Sequence, residues 1–332
     1  MKFKVGRNNL AATIYVPYDC ANNCPFCTSK TEYKLHRPDR DKVLEALKTL
    51  VSNPYIKDIV FTGGEPTADI ELLEKMVHIV KSKSNKNVFI NTTLPSKNFF
   101  RFLELVNSGA VNGVNISRHG TSFEEDCKLF HSIVDDWAID GLEVPVKINA
   151  VITDENNFGN ISKIINRWKD KKNVTVCFRH DFRTTTFENL HAMTGDSVLD
   201  YLCDNYTFDS HTFCDVCDTV RFEEKVAYHR GMEHSSFKIG NTVVVNDIIV
   251  FPDGFVAYDW DRKPISELDG FQVENKRLRA ATHVENKRPR ATTQVARENE
   301  YPGSTCGVGS CVFSSCGADN CKSFGSCGYS HC

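Results

Sequence analysis

Six short apolar runs alternate with amphipathic segments between residue 11 and about residue 205, and this alternation limits the folds open to the chain. The apolar runs predict strands at 11–16, 57–64, 87–93, 113–120, 145–152 and 173–181. The amphipathic segments predict helices at 39–53, 69–83, 97–108, 122–138 and 158–170. Strands that alternate with helices of this length form right-handed βαβ units around a parallel sheet. The sequence therefore predicts an α/β fold with a partial (β/α)6 TIM-like barrel, whose chemistry collects at the carboxyl ends of the strands.

A cysteine-rich stretch, DCANNCPFCTSK, follows the first predicted strand directly. It holds three thiols with C-x3-C-x2-C spacing, at Cys20, Cys24 and Cys27. On a helix these positions share one face, which makes three core residues one interpretation. Asn22, Asn23 and Pro25 favour a loop instead, because they are turn formers or helix breakers.

The number and spacing of these thiols point to a metal centre. An odd trio cannot pair within itself, and a disulfide needs an oxidising compartment. Zinc is usually held by four ligands in paired units. Three close thiols without a fourth nearby favour a 4Fe–4S cluster in which one iron lacks a protein ligand.

The bulk composition excludes several classes of protein. The net charge of −3 gives no general reason to expect binding to nucleic acid or to an anionic membrane. The first residues, MKFKVGRNNL, form no apolar signal segment, and no run approaches the roughly 20 apolar residues of a membrane span. We therefore expect a cytoplasmic protein with reduced thiols.

The chain changes character after residue 205, where the predicted core (1–205) ends. Residues 206–265 predict a small β-rich, metal-binding appendage, with a hairpin that turns at Pro252–Gly254. Residues 266–300 predict a charged linker that contains two copies of an eleven-residue repeat, VENKRLRAATH and VENKRPRATTQ. Residues 301–332 form a Cys/Gly/Ser-rich tail, with cysteines at 306, 311, 316, 321, 327 and 332.

Two motifs together resemble the radical S-adenosylmethionine (radical SAM) superfamily. These are the cysteine motif with Phe26 before its last cysteine and the GGEP turn at the end of the second strand, and the resemblance covers about residues 10–210. It implies that Cys20, Cys24 and Cys27 hold a 4Fe–4S cluster and that S-adenosylmethionine chelates the open iron. It also implies reductive cleavage to a 5′-deoxyadenosyl radical, which abstracts a hydrogen atom from a substrate. An electron donor similar to flavodoxin or ferredoxin is implied as a partner.

The resemblance also assigns residues to the cofactor site. The GGEP turn, Gly63, Gly64, Glu65 and Pro66, is expected to receive the methionine ammonium, although a plain βα turn has the same composition. The candidates for the carboxylate and the ribose lie at later strand ends, namely Asn91, Thr92, Ser117, Arg118 and Asn149. Arg118 has two interpretations, a bidentate partner of a carboxylate and a solvated loop arginine. His119 either faces substrate or caps a turn.

A further, partial similarity concerns the GTP cyclase of molybdenum-cofactor biosynthesis, which carries a second cluster. Cys214 and Cys217 match its C-x2-C pair, but VAYDW (256–260) stands where a distant cysteine is expected. An auxiliary Fe–S cluster or a zinc site therefore remains an expectation for this pair, with Cys203 and His211 as further zinc ligands. The alternative is two unligated thiols on a turn.

The cysteine-rich tail has three interpretations, and none of them identifies the substrate. It resembles the cysteine-rich extensions of peptide-modifying radical SAM enzymes, which ligate auxiliary clusters, and also precursor peptides that acquire thioether links. A soft-metal-binding or disordered tail is the third interpretation. The expected function is a radical SAM enzyme acting on a peptide or small molecule. The alternatives are a nucleotide-directed radical SAM cyclase or mutase and a non-catalytic iron–sulfur or metal-binding protein.

Overall fold

The computed structural model describes most of the first 271 residues. The described residues are 1–6, 10–17, 20–22, 24, 27, 29–152, 158–180, 185, 190 and 195–271. The two repeats and the six tail cysteines lie outside them. No helix among the described residues is long and apolar enough to cross a membrane.

One curled sheet of eleven strands dominates the fold. Its order is β14-β13-β2-β3-β4-β5-β6-β7-β10-β9-β8, and a second sheet has the order β1-β12-β11. Adjacent strands from β2 to β7 pair in parallel, as the six predicted strands require. These six are β2 (Leu10–Val16), β3 (Ile56–Gly63), β4 (Asn87–Thr92), β5 (Gly113–Ser117), β6 (Val146–Val151) and β7 (Val174–Arg179). The predicted partial barrel is confirmed.

Helices follow these strands in chain order. They are α1 (Ser29–Leu35), α2 (Arg40–Val51), α3 (Ile70–Lys83), α4 (Phe99–Leu105), α5 (Phe123–Leu129), α6 (Phe158–Trp168) and α7 (Ser197–Asn205). Short polar side chains cap the starts of several of them. Asp39, Ser122 and Asp196, for example, accept hydrogen bonds from the first free backbone amides of α2, α5 and α7.

The two faces of the sheet differ in polarity. Alternate strand residues such as Val88, Ile90 and Ile148 join one large apolar core with the helices. The residues between them include Asn91 and Asn115, whose side chains hydrogen-bond to each other at 2.6 Å. Because successive side chains in a strand point to opposite faces, the concave face is lined largely by polar groups. A polar interior of this kind suits a polar ligand better than a dry packed core.

The predicted β-rich appendage does not form a sheet of its own. Most of its strands extend both ends of the barrel sheet, with β8 (Phe208–Phe213), β9 (Cys217–Phe222) and β10 (Val226–Gly231) beyond β7. At the other end, β13 (Asp247–Val250) pairs with β2 and forms the predicted hairpin with β14 (Val256–Ala257). Only β11 (Ser236–Ile239) and β12 (Thr242–Val245) lie in the second sheet, with β1 (Lys2–Val5).

Trp260 brings the two ends of the curled sheet together. Its indole packs against a cluster that contains Tyr15 and Phe251, on the β2–β13 side. It also packs against Cys214 and Cys217, on the β9 side. The segment between β8 and β9 therefore faces the strand that precedes the cysteine loop.

The predicted helix at 122–138 is wrong over its second half. Helix α5 ends at Leu129, and Phe130 continues in an extended conformation. The chain then turns back so that Ile133 bridges Pro95 and the Val134 amide donates to Leu94 O. This return buries Phe130, Ile133 and Val134. Their apolar spacing therefore arises from a packed loop and not from the buried face of a helix.

A buried carboxyl at the amino end of β13 makes stability depend on pH. Asp247 is fully buried, accepts a 2.8 Å hydrogen bond from Thr13 Oγ1, and its pKa is raised well above the usual value by burial. The native state therefore keeps a proton that the unfolded chain releases above about pH 4. Stability is full below that pH, and it falls by about 1.4 kcal/mol per pH unit until the native carboxyl ionises.

Asp247→Asn removes this dependence, because the amide stays neutral and retains an oxygen for Thr13. We expect the variant to be more stable than the parent at pH 7 and equal to it near pH 3. Urea unfolding of the metal-free protein across this range measures the difference. If the free energy of unfolding changed with pH in the same way in both proteins, the pKa of Asp247 would not be raised in the native state.

Candidate active site at the carboxyl ends of the strands

The three predicted cluster ligands lie in a loop between β2 and α1. Cys20, Cys24 and Cys27 are half-buried, and none of them is helical. The Cys27 amide donates to Cys24 O at 3.2 Å, and the Asn22 amide lies 3.4 Å from Cys20 Sγ. The helical interpretation of this motif is therefore wrong, and the loop interpretation is confirmed.

Asn22 ties the cysteine loop to the ends of other strands. Its side chain is buried, donates to Thr93 Oγ1 at 3.2 Å and accepts from the His131 amide at 2.6 Å. Sequence reasoning treats Asn22 only as a turn former. Its contacts are with residues 71 and 109 positions away along the chain, which no local pattern reveals.

The GGEP turn requires glycine at its first position. Gly63 ends β3 with φ of +115°, and a Cβ there would lie 2.8 Å from Tyr33 Oη and 3.1 Å from Val16 O. The Tyr33 hydroxyl accepts from the Gly64 amide at 2.8 Å and donates to Val16 O at 2.7 Å. A tight, left-handed turn therefore lies directly against the end of β2, beside the cysteine loop.

Glu65 is engaged by its own protein. One carboxylate oxygen accepts from the Thr67 amide, Thr67 Oγ1 and Thr92 Oγ1, the last at 2.6 Å. The other accepts from the amide and the hydroxyl of Thr93, both at 2.8 Å. The carboxylate thus braces the GGEP turn against the end of β4.

Three of the predicted cofactor residues carry buried polar atoms that lack a partner among the described residues. These atoms are Asn91 Nδ2, Arg118 Nε and Asn149 Oδ1. Asn91 and Asn149 lie one and two residues before the carboxyl ends of β4 and β6, and Arg118 directly follows β5. Because buried polar groups nearly always have partners, two donors and one acceptor here indicate a polar ligand.

Arg118 is fully buried, so its interpretation as a solvated loop arginine is wrong. Its guanidinium donates to the carbonyls of Thr93 and Ser117 at 2.7 and 2.8 Å, and to Val134 O at 3.3 Å. Burial lowers the pKa of Arg118 to about 10, which still leaves it charged at neutral pH. Two of its nitrogens hold the loops in place, and Nε has no partner among the described residues.

His119 is held as a neutral imidazole. Burial and the neighbouring Arg118 charge lower the pKa of His119 to about 3. Its Nδ1 accepts from the Val151 amide at 3.0 Å, while the amides of His119 and Gly120 both donate to Asp126 Oδ1. These contacts fit the predicted turn-capping role.

Cys214 and Cys217 lie on the same rim as the cysteine loop. Both are buried, and Cys217 pairs with Gly231 at the carboxyl end of β10, which runs parallel to β7. The predicted zinc set is not assembled, because no three of its four side chains bring their ligand atoms within 4.8 Å. Cys203 is exposed on α7, and His211 Nε2 lies 3.3 Å from Asp218 instead.

Another group of possible metal ligands is already occupied by a cation. His234, Asp259 and Asp261 do bring ligand atoms within 4.8 Å of one another. Lys263 Nζ lies 3.1 Å from each of the two carboxylates, however, and an ammonium there opposes a metal ion.

Comparison with known proteins identifies the barrel. Residues 14–174, from within β2 to the first residue of β7, match the family model of the Radical SAM superfamily. Residues 14–174 are therefore a radical SAM domain. Members of this superfamily use a 4Fe–4S cluster and S-adenosylmethionine.

Three solved structures are among those similar to this chain, which spans about half to three fifths of the length of the first ones. Native anSMEcpe with bound AdoMet is 20% identical, with 59% of this chain and 60% of that chain covered and a TM-score of 0.43. Histidine-tagged anSMEcpe with bound AdoMet is 15% identical, with 78% and 76% covered and a TM-score of 0.45. Methylornithine synthase (PylB) is 17% identical, with 52% and 53% covered and a TM-score of 0.40. No curated protein sequence matches the chain.

Proposed function

We propose that the chain is a radical SAM enzyme, which holds its cluster on Cys20, Cys24 and Cys27 and binds S-adenosylmethionine along the ends of β3 to β6. The observation that carries the proposal is the set of unpartnered polar atoms on Asn91, Arg118 and Asn149. Their donors and acceptor suit a zwitterionic, ribose-bearing ligand. Together the cluster and S-adenosylmethionine supply a carbon radical that removes a hydrogen atom from a substrate.

The contribution of the protein is to orient the bound groups. The cysteine loop is fixed through Asn22, and the GGEP turn through Glu65 and Tyr33. Arg118 places a fixed positive charge beside the ends of β4 and β5, where a carboxylate would be stabilised. A reductant is also needed, and we propose a small protein similar to flavodoxin or ferredoxin as the electron donor.

An auxiliary metal site on Cys214 and Cys217 extends the proposal. The pair is buried at the barrel rim and contacts Trp260, which also contacts the β2 side of the barrel. The spacing of the pair is typical of metal ligands. The ligands of a single ion must lie close to one another, whereas the thiolates of a cluster bind different irons and can lie farther apart.

Replacing both cysteines of this pair with alanine is expected to lower the metal content by about one site. Uncoupled cleavage of S-adenosylmethionine should persist, because the barrel motifs are complete without the pair. Elemental analysis of iron and zinc in the variant, beside a Cys127→Ala, Cys203→Ala control at two exposed positions, provides the measurement. Unchanged iron and zinc content would rule out an auxiliary site here.

We further propose that the substrate is a cysteine-rich peptide and that the chain's own tail is a candidate. The six tail cysteines keep a near five-residue spacing among Gly and Ser, which suits a repeatedly modified peptide. Phe271, the last described residue, packs against Phe3 and Tyr55, just before the amino end of β3. The cysteine loop lies at the other end of the strands, after the carboxyl end of β2. A flexible segment of the length from Phe271 to Cys306 would span on the order of 30 Å, which exceeds the roughly 17–20 Å of a typical strand.

Anaerobic turnover followed by mass spectrometry tests the tail as substrate. Each thioether link removes two hydrogen atoms from the peptide, with S-adenosylmethionine converted to 5′-deoxyadenosine and methionine as the oxidant. We expect the tail to lose that mass once per link, and its linked cysteines to resist alkylation after reduction. Truncation at Glu300 should leave cluster content unchanged. A tail that keeps its mass, in a protein that loses iron on truncation, would instead be a set of cluster ligands.

A further inference from the structure

Helix α1 lies between the cysteine loop and a hairpin near the end of the described chain. Two consecutive side chains on it face different partners. Tyr33 contacts the GGEP turn and the end of β2, and Glu32 contacts Arg262. We call residues 247–263, which comprise β13, β14 and the loop after them, the clamp.

The Tyr33 hydroxyl hydrogen-bonds to two elements of the site. It accepts a hydrogen bond from the Gly64 amide and donates one to Val16 O, the last residue of β2. Gly63 leaves no space for a Cβ beside this hydroxyl. One side-chain oxygen therefore ties Gly64 to the end of β2, in addition to the strand pairing of Val16 with Gly63.

The clamp holds the other side of α1 through a buried arginine. Arg262 is only 4% exposed and donates to Glu32 Oε2 at 2.8 Å and to Asp253 Oδ2 at 2.6 Å. Its guanidinium lies 4.3 Å from the Phe251 ring centroid and 4.7 Å from that of Phe255. Charge pairing and ring contacts together fix Arg262 against α1.

Aromatic packing connects these two contacts. The Tyr33 ring lies 6.3 Å from Tyr15, which in turn stacks on Phe251 at 5.9 Å. The clamp also contacts α2, because the Asp39 amide donates to Pro252 O at 2.8 Å and Gly254 packs against Lys42. The hairpin thus supports the first two helices after the cysteine loop.

We infer that Tyr33 is a positioning residue for the S-adenosylmethionine-binding turn, and that the clamp holds Tyr33 in place through Arg262 and Glu32. This inference rests on the proposed function, since it takes the GGEP turn as the contact for S-adenosylmethionine. It assigns a role to the stretch in which a third auxiliary cysteine is missing. In that stretch, the Trp260 ring lies 6.4 Å from Tyr15, and just after it Arg262 contacts α1.

Tyr33→Phe tests the inference directly, because it removes only the hydroxyl. We expect the Kd for S-adenosylmethionine, measured by equilibrium dialysis with the oxidised cluster, to rise about tenfold at unchanged iron content. Tyr55→Phe changes a half-exposed ring at the amino end of β3, away from the GGEP turn at its carboxyl end. It serves as the matched control and should leave the Kd unchanged. An unchanged Kd in Tyr33→Phe, or a loss of iron that accounts for the weaker binding, would overturn the inference.

Hydrogen exchange separates this inference from the proposed function. Amides of residues 63–68 should exchange faster in Tyr33→Phe than in the parent, with or without S-adenosylmethionine. If the parent binds no S-adenosylmethionine, the proposed function fails, while faster exchange still supports the brace. Equal exchange in the two proteins refutes the brace.

The link to the clamp is tested by combining two substitutions. Glu32→Gln weakens the contact with Arg262, and we expect it to raise the Kd about threefold. If both residues act through one path, Tyr33→Phe with Glu32→Gln should bind no more weakly than Tyr33→Phe alone. Additive effects on the Kd would show that the clamp acts independently of Tyr33.

Discussion

Replacing Cys20, Cys24 and Cys27 together with alanine should abolish the reductive cleavage of S-adenosylmethionine. The three thiols are the ligands proposed for the cluster that supplies the electron, so the variant should also lose about four iron atoms per chain. Release of 5′-deoxyadenosine and methionine under dithionite, together with iron content, measures the two effects.

The loss should be specific to these positions. A Cys127→Ala, Cys203→Ala variant changes two exposed cysteines away from the loop and should cleave S-adenosylmethionine at the parental rate. Cleavage that survives in the triple variant would mean that the cluster is held elsewhere.

Glu65→Gln should destabilise the protein and weaken S-adenosylmethionine binding together. The carboxylate accepts five hydrogen bonds from Thr67, Thr92 and Thr93. An amide turns one acceptor into a donor that faces other donors. We expect the free energy of unfolding to fall by about 3 kcal/mol, and the Kd for S-adenosylmethionine to rise because the GGEP turn loses its brace.

Denaturant unfolding and equilibrium dialysis measure these two effects. Glu71→Gln is the matched control, because the Glu71 side chain is 82% exposed and its change should alter neither quantity. If Glu65→Gln unfolds like the parent, the carboxylate contributes little to the turn, and its role as a brace is refuted.

The barrel and the cysteine loop were predictable because their signals are local. The alternation of strands and helices predicts βαβ units without any knowledge of contacts elsewhere in the chain. The loop follows from Asn22, Asn23 and Pro25, which lie among the three cysteines themselves. The GGEP motif likewise identifies its own tight turn, which the φ of Gly63 confirms.

The remaining features depend on contacts between residues far apart in sequence. Tyr33, Asn22 and Thr93 act through partners on other elements, so nothing in their own neighbourhood marks them. In the sequence, Arg118 cannot be told from a solvated loop arginine. Its burial depends on the folded positions of Thr93 O and Val134 O, which accept its hydrogen bonds. The strands after residue 206 could be recognised one by one, but their addition to both ends of one sheet depends on pairing, which periodicity does not encode.

The most direct measurement is the electron paramagnetic resonance spectrum of the anaerobically reconstituted, reduced protein before and after addition of S-adenosylmethionine. A cluster with one open iron, bound beside the GGEP turn, predicts a 4Fe–4S signal whose g values shift when S-adenosylmethionine binds. The absence of a cluster signal, or a signal that S-adenosylmethionine leaves unchanged, would contradict the proposed site.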